Sequence, residues 1–199
     1  MKNIKKIELL QNKEELLPEF TSDFPYISTR AEIDEYDGRF VPWHWHRPIE
    51  LFYIESGTLE YYTTKNRLSF STGMGGFVNS NVLHMTKPLS SYEEKTNQLL
   101  HIFDPALISG YHGSRIEKKY VMPVIAAPQI EIVAFSPDNC KHNEILHLIS
   151  GAFKISDKDI GYEIKIREIL SKAWLILFDL LSEQLHKNSS YDKNDERLK

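Results

Sequence analysis

A mainly β fold, a sandwich or barrel followed by C-terminal helices, is what this sequence predicts, and three observations predict it. Between Tyr26 and Phe103, short runs rich in Tyr, Phe, Ile, Val and Thr are separated by turn signals at Asp37-Gly38, Ser56-Gly57, Lys65-Asn66 and the Gly73 to Gly76 cluster. Many short strands at such spacing close into a sandwich or barrel. Leu51 to Ile54 is apolar at every position, so both faces of that strand need cover, one from the barrel interior and one from another layer. Beyond Ser136 the apolar residues recur at helical spacing, which supplies that layer.

The elements follow in order. Residues 1–20 are charged and mildly amphipathic, with Pro18 near their end; they read as a loosely attached arm and a candidate lid. The barrel occupies 21–135, its strand run closing at Asp104-Pro105, with a brief helix expected over Ser114 to Tyr120 before Pro123. Ser136-Pro137 offers an N-cap and a proline at the first helical position. Ile145, Leu148, Ile149, Ala152 and Phe153 then make one apolar face. Ser156 and Asp159 have capping-box spacing ahead of a longer helix from Ile160 to about Leu185, roughly 40 Å at 1.5 Å per residue.

That longer helix carries Ile166, Ile169, Leu170, Ala173, Trp174, Leu177, Leu180 and Leu181 as one stripe, widened by Leu175, Ile176 and Phe178. So wide a stripe implies burial on two sides, against the barrel and against a second copy of the chain. The helical hairpin spans 136–187. Residues 188–199 are polar and charged, and read as a linker.

Composition narrows the function. With 199 residues there is room for one sizeable domain. A net charge of −4 lacks the basic footprint that phosphate contacts require, so these residues are not expected to bind DNA themselves. The single cysteine, Cys140, rules out an internal disulfide framework and fits a reducing, cytoplasmic setting. It stands near a helix start without a partner thiol and reads as structural. No apolar run is long enough for a signal sequence or a membrane span.

The chemistry concentrates between Gly38 and Gly57. His44 and His46 stand one residue apart and Glu50 shares their parity, so on a strand the two imidazoles and the carboxylate would face one wall. Such a set makes a metal site or a polar pocket floor. Trp43 and Trp45 alternate with the histidines and should face away, as packing residues. Arg30, on an early strand, is a candidate clamp for a ligand carboxylate or hydroxyl; a solvated strand charge is the simpler alternative. A helix-turn-helix over 145–175 is not expected, because the second helix is too long and its exposed face carries Glu163, Glu168 and Asp179.

The spacing Gly38, His44, His46, Glu50, Gly57 resembles the first motif of the cupin superfamily, whose fold is a double-stranded β-helix or jelly-roll barrel. Gly73 to His84 resembles the second motif, without the acidic residue that usually follows its first glycine and without the proline usually found near Ser80. The resemblance fills the four metal-binding positions of metallocupins with His44, His46, Glu50 and His84, and implies a divalent ion such as Zn, Ni, Fe or Mn. Pocket-lining hydrogen-bonding groups are the alternative role for the same residues.

A cupin barrel with Pro42-Trp-His-Trp-His46, then a helical hairpin and a polar linker, resembles the amino-terminal half of AraC-type transcriptional regulators. Asn79-Ser-Asn-Val-Leu-His84 and His101-Ile-Phe-Asp-Pro105 support that resemblance. It implies a barrel that binds a small polar effector, often a sugar, a homodimer formed through the 160–185 helix, and DNA binding by a helix-turn-helix domain outside these residues. A metal-dependent cupin enzyme of dioxygenase or isomerase type is the alternative.

Overall fold

The computed structural model describes residues 3–4, 6–17, 19–89 and 95–195. The strands are β1 (Asn3–Ile4), β2 (Glu8–Leu9), β3 (Glu15–Leu16), β4 (Tyr26–Glu32), β5 (Val41–His44), β6 (Ile49–Ser56), β7 (Thr58–Thr63), β8 (Arg67–Ser71), β9 (Gly75–Val78), β10 (His84–Pro88) and β11 (Asn97–Phe103). After them come α1 (Ala106–Ser109), a π turn at Glu117–Val121, α2 (Met122–Ile125), β12 (Ile132–Phe135), α3 (Cys140–Ala152) and α4 (Tyr162–Asp195). One sheet has the order β1-β4-β11-β6-β9-β12 and the second the order β5-β10-β7-β8. Every pairing within these two sheets is antiparallel except β1 with β4. The fold class is the expected one, a β barrel-like body followed by helices.

Strand alternation divides the core into two layers. Phe52, Ile54, Leu59, Tyr61, Phe70 and Leu100 fill the space between the sheets. Leu51, Phe77, Phe103 and Phe135 face the other way, against Ile145, Ile149, Leu170, Trp174 and Leu177 of α3 and α4. Leu51 and Phe52 are each at most 1% exposed, so β6 is covered on both faces as its unbroken apolar run requires. Gly75 fits β9 beside β6 because any Cβ there would collide with the Phe52 carbonyl. Gly57 turns β6 into β7 at φ +80°, a conformation that favours glycine.

His101 ties the layers together. Its Nε2 lies 2.9 Å from the Ile149 carbonyl of α3, which can only accept, so Nε2 carries the proton and Nδ1 accepts from Tyr26 Oη at 2.7 Å. Trp174 Nε1 donates to the Tyr120 carbonyl at 3.0 Å, fixing α4 to the π turn.

Several expectations are corrected. α3 begins one turn after Ser136-Pro137, capped by Asn139, whose side chain accepts from Lys141 N and His142 N. Ser136 instead closes the preceding turn, its Oγ accepting from Asp138 N at 3.4 Å. The Ser156–Asp159 capping interaction exists, with Ser156 N donating to Asp159 Oδ2 at 3.3 Å, but it closes a turn before α4 starts at Tyr162. Pro123 does not end the helical stretch: it sits in the first turn of α2, where its missing N–H costs nothing. β12 adds a strand beyond Asp104-Pro105, pairing with β9. α4 continues to Asp195, past its expected end near Leu185 and into the segment read as linker; residues 196–199 of that segment lie outside the described residues. Cys140 is exposed on the first turn of α3, so it is not a packing residue.

The arm also differs from expectation. β2 and β3 form a hairpin, and it is docked rather than loose. Glu15 N donates to Trp45 O at 2.9 Å, and Trp45 N donates to Lys13 O at 3.1 Å. Trp45 Nε1 adds a bond to Asn12 O at 3.0 Å.

Candidate metal and ligand site

His44 lies at the end of β5 and His84 at the start of β10, directly opposite each other in register. His46 follows in the loop that leads to β6, and Glu50 is the second residue of β6. The loop between β9 and β10 is stapled to the His46 loop, with Asn81 N donating to His46 O at 2.9 Å and Ser80 Oγ to Arg47 O at 2.6 Å. Two loops far apart in sequence are thereby held at one point, with the imidazoles between them.

Each imidazole is oriented the same way. His44 Nδ1 lies 2.8 Å from Pro42 O, His46 Nδ1 2.8 Å from Pro48 O, and His84 Nδ1 2.8 Å from Val82 O. A carbonyl only accepts, so each Nδ1 carries a proton and each neutral ring presents a bare Nε2. Nitrogens of the three rings lie within 4.8 Å of one another, and all three residues are buried. His46 Nε2 and His84 Nε2 are buried without a hydrogen-bond partner. Backbone carbonyls that orient imidazoles in this way are the usual outer support of a metal ligand.

Glu50 faces two of the rings, its Oε2 3.6 Å from His46 Nε2 and 3.9 Å from His84 Nε2. Tyr61 Oη stands 3.1 Å from Glu50 Oε1 and 3.1 Å from Gln98 Oε1, so its single proton has two acceptors. The Tyr61 ring stacks on Phe52 at 4.2 Å. A second carboxylate, Glu15 of the arm, approaches the third ring with Oε2 3.7 Å from His44 Nε2.

Electrostatics follow from burial. Desolvation pushes His44 down to about 4, with the neighbouring His46 adding to the effect. Burial, then His44 and His46, drives His84 well below the ordinary range. His46 is also disfavoured by burial, but the facing Glu50 and the nearby Glu15 more than offset that and hold it above its ordinary value. Burial raises the Glu15 carboxyl to about 7, with Glu50 adding and His46 opposing. Two acids facing three imidazoles form a donor set that a divalent cation satisfies.

The site opens into a cavity of about 190 Å³. Ile27, Ala31, Val41, Leu100 and Ile102 give it apolar walls, Thr86, Gln98 and Tyr61 polar points, and Leu16 and Leu17 of the arm also line it. His44, His46, Glu50 and His84 are brought together here, as the motif spacing anticipated. Arg30 is not with them: on β4 the inward residues are Ile27, Thr29 and Ala31, and Arg30, of opposite parity, pairs with Glu55. Glu15, Tyr61 and Gln98 are site residues that the sequence reading missed. Tyr61 and Gln98 share the inward parity of their strands, which a strand-by-strand reading could have used. Nothing in Glu14-Glu15-Leu16-Leu17 sets Glu15 apart.

The fold and this site define a β barrel with an internal three-histidine, carboxylate-flanked centre and a helical layer on one outer face. The chain matches no protein-family model. It is similar to the uncharacterized HTH-type transcriptional regulator YdeC of Bacillus subtilis (strain 168), 23% identical over 165 residues, which is 82% of this chain and 55% of YdeC. Among solved structures it is similar to unsaturated fatty acid bound ToxT from Vibrio cholerae, at 12% identity and TM-score 0.46, over 74% of this chain and 52% of ToxT. A formate complex of Lactobacillus farciminis oxalate decarboxylase matches at 15% identity and TM-score 0.29, over 33% of this chain and 20% of that one. The chain spans about half the length of the curated regulator it matches. Among the described residues no helix is long and apolar enough to cross a membrane.

Proposed function

We propose that this chain is the effector-sensing half of an AraC-type transcriptional regulator, and that it binds a small molecule in the barrel over a divalent cation held by His44, His46, Glu50 and His84. One observation carries the reading: three backbone carbonyls lock three imidazoles with bare Nε2 atoms gathered beside a carboxylate. Imidazole and carboxylate donors suit Zn, Ni, Fe or Mn, which when bound supply Lewis-acidic positions for an oxygen donor of the effector. The chain does the rest. Val41, Leu100 and Ile102 give the cavity apolar walls, while Thr86 and Gln98 offer a few hydrogen-bonding points.

That division favours a short carboxylate or similar oxyanion with an apolar body over a sugar, whose hydroxyls would need partners on every side. Occupancy can be transmitted because β6 and β11 belong to both layers: Glu50 and Gln98 face the cavity, while Leu51 and His101 face the helices. The effector must favour one arrangement of arm, barrel and helices over another. In this reading the regulator is cytoplasmic, pairs with a second copy through α4, and binds DNA through a domain outside these residues. YdeC, a named HTH-type regulator, supports it.

The test is metal analysis of protein purified without chelator, then thermal melting with the cation and a panel of short carboxylates and sugars. Stoichiometric metal and a melting temperature raised by one ligand class, without turnover, are expected. Metal-free protein that takes up no divalent ion would overturn the metal part. The gene sequence beyond Lys199 should encode a helix-turn-helix, and a stop codon there would overturn the regulator part. A metal-dependent enzyme is the second reading, favoured by the same enclosed donor set; it requires a turnover that disappears when the metal is stripped.

A further inference from the structure

We propose that Glu15, delivered by the amino-terminal hairpin rather than by the barrel, is a further carboxylate ligand of the cation site, so that cation binding fastens the arm across the barrel mouth. The inference rests on the metal reading above and adds a residue and a consequence to it.

Three observations support it. First, the Glu15 side chain is 8% exposed, and among the described residues no hydrogen-bond donor reaches its carboxylate. A buried acid without donors carries a desolvation cost that a partner must offset. Second, the partner it faces cannot supply a proton in its neutral form. His44 gives its Nδ1–H to Pro42 O, so the atom 3.7 Å from Glu15 Oε2 is a bare Nε2. With Glu15 ionised, its carboxylate and this nitrogen are two electron-pair donors facing each other across that gap, an arrangement that a cation reconciles. Third, the two carboxylates divide the three rings between them, Glu50 beside His46 and His84, Glu15 beside His44.

The arm is built to hold Glu15 there. The β2–β3 turn is tightened by Lys13 N to Leu10 O at 3.0 Å, and by Asn12 Oδ1, which accepts from Glu14 N at 3.0 Å. Trp45, the residue between the two motif histidines, then anchors Lys13, Asn12 and Glu15 through the three bonds described above. The segment from His44 to His46 therefore also positions a donor from a separate part of the chain. Leu16 and Leu17 follow Glu15 directly and line the cavity, so fastening Glu15 also seats the apolar rim over whatever the cavity holds.

Co(II) is the probe, because its visible absorption reports the donor set as well as the affinity. Wild type, Glu15→Gln and Glu14→Gln are titrated, and hydrogen exchange of residues 8–17 is followed with and without the metal. Expected for wild type is slower exchange of 8–17 when Co(II) is bound. Glu15→Gln should still bind Co(II) through the histidines but about tenfold or more weakly, with a changed spectrum and no added arm protection. Glu14→Gln should behave as wild type. If Glu15→Gln does not fold, Glu15→Asp, which keeps the charge and shortens the reach, gives the same reading. Wild-type affinity and spectrum in the Glu15 variant, or an arm indifferent to metal in wild type, would overturn this proposal and leave the metal site standing. No Co(II) binding by wild type would overturn both.

Discussion

His44 and His84 stand opposite each other across β5 and β10 with ring centroids 4.1 Å apart, two buried imidazoles facing each other with no proton between their Nε2 atoms. Without a cation this pair is a cost to the fold, and with one it becomes a gain. Adding Zn(II) at a hundredfold excess over Kd should stabilise the protein by about 2.7 kcal/mol, roughly 5 to 11 °C in Tm for a chain of this length. EDTA should reverse the shift. His84→Gln should remove most of it, as read by differential scanning fluorimetry.

Tyr61 supports Glu50 without reaching the imidazoles. Tyr61→Phe keeps the ring stacked on Phe52 and removes the hydroxyl that Glu50 Oε1 faces at 3.1 Å. Metal affinity should fall by about tenfold, while stability of the metal-free protein changes by about 1 kcal/mol. Isothermal titration beside urea unfolding separates the two; equal losses in both would mean that the hydroxyl is only structural.

His101 predicts a pH dependence. Burial holds it down to about 4, partly opposed by its bond to Ile149 O, against an ordinary value near 6.5 in the unfolded chain. Between those values the unfolded chain binds a proton that the folded one refuses. Stability is therefore full above about pH 6.5 and declines as pH falls toward 4, by roughly 3 kcal/mol from this residue. His44 and His84 act with the same sign, so the contribution is read as a difference in slope between wild type and His101→Gln. Parallel curves would show that His101 protonates as readily folded as unfolded.

The motif residues were legible because their constraints are local. The pleat does not run unbroken from His44 to Glu50, since His44 ends β5 of one sheet and Glu50 lies on β6 of the other. Their closeness in sequence still brings them to one site, and the run from Leu51 to Ile54 announces a two-sided strand by its apolarity alone. Arg30 was misplaced because one polar residue in an early strand does not declare its face; it needed the inward parity of Thr29 and Ala31. Glu15 was not legible at all. Its role depends on the long-range docking of Asn12 and Lys13 on Trp45, and an acid in a charged lead-in looks the same whether docked or solvated. The α3 boundary moved for a smaller reason, since Ser136 and Asn139 are both good caps and only the path of the chain from β12 selects the second.

Pairing of two copies through α4 makes the most demanding prediction. The inner stripe, Ile166, Leu170, Ala173, Trp174, Leu177 and Leu181, is buried in the layer it shares with α3 and the outer face of the sheet. Among the described residues of α4, the large apolar side chains left exposed are Ile164 at 74% and Leu175 at 60%. These two lie close to three helical turns apart and so share a face. The Glu168–Lys172 pair stands between them and Lys141–Asp179 beyond, so a dimer here would be a narrow apolar seam with a charged rim, not the broad second stripe the sequence suggested. Such a seam tolerates no buried unpaired charge. Leu175→Glu should convert a dimer to a monomer in light scattering while leaving the unfolding free energy of the monomer within about 1 kcal/mol of its wild-type value, because Leu175 is exposed. A variant that stays dimeric would move the interface off this face of α4, and a wild type that is monomeric at high micromolar concentration would remove it altogether.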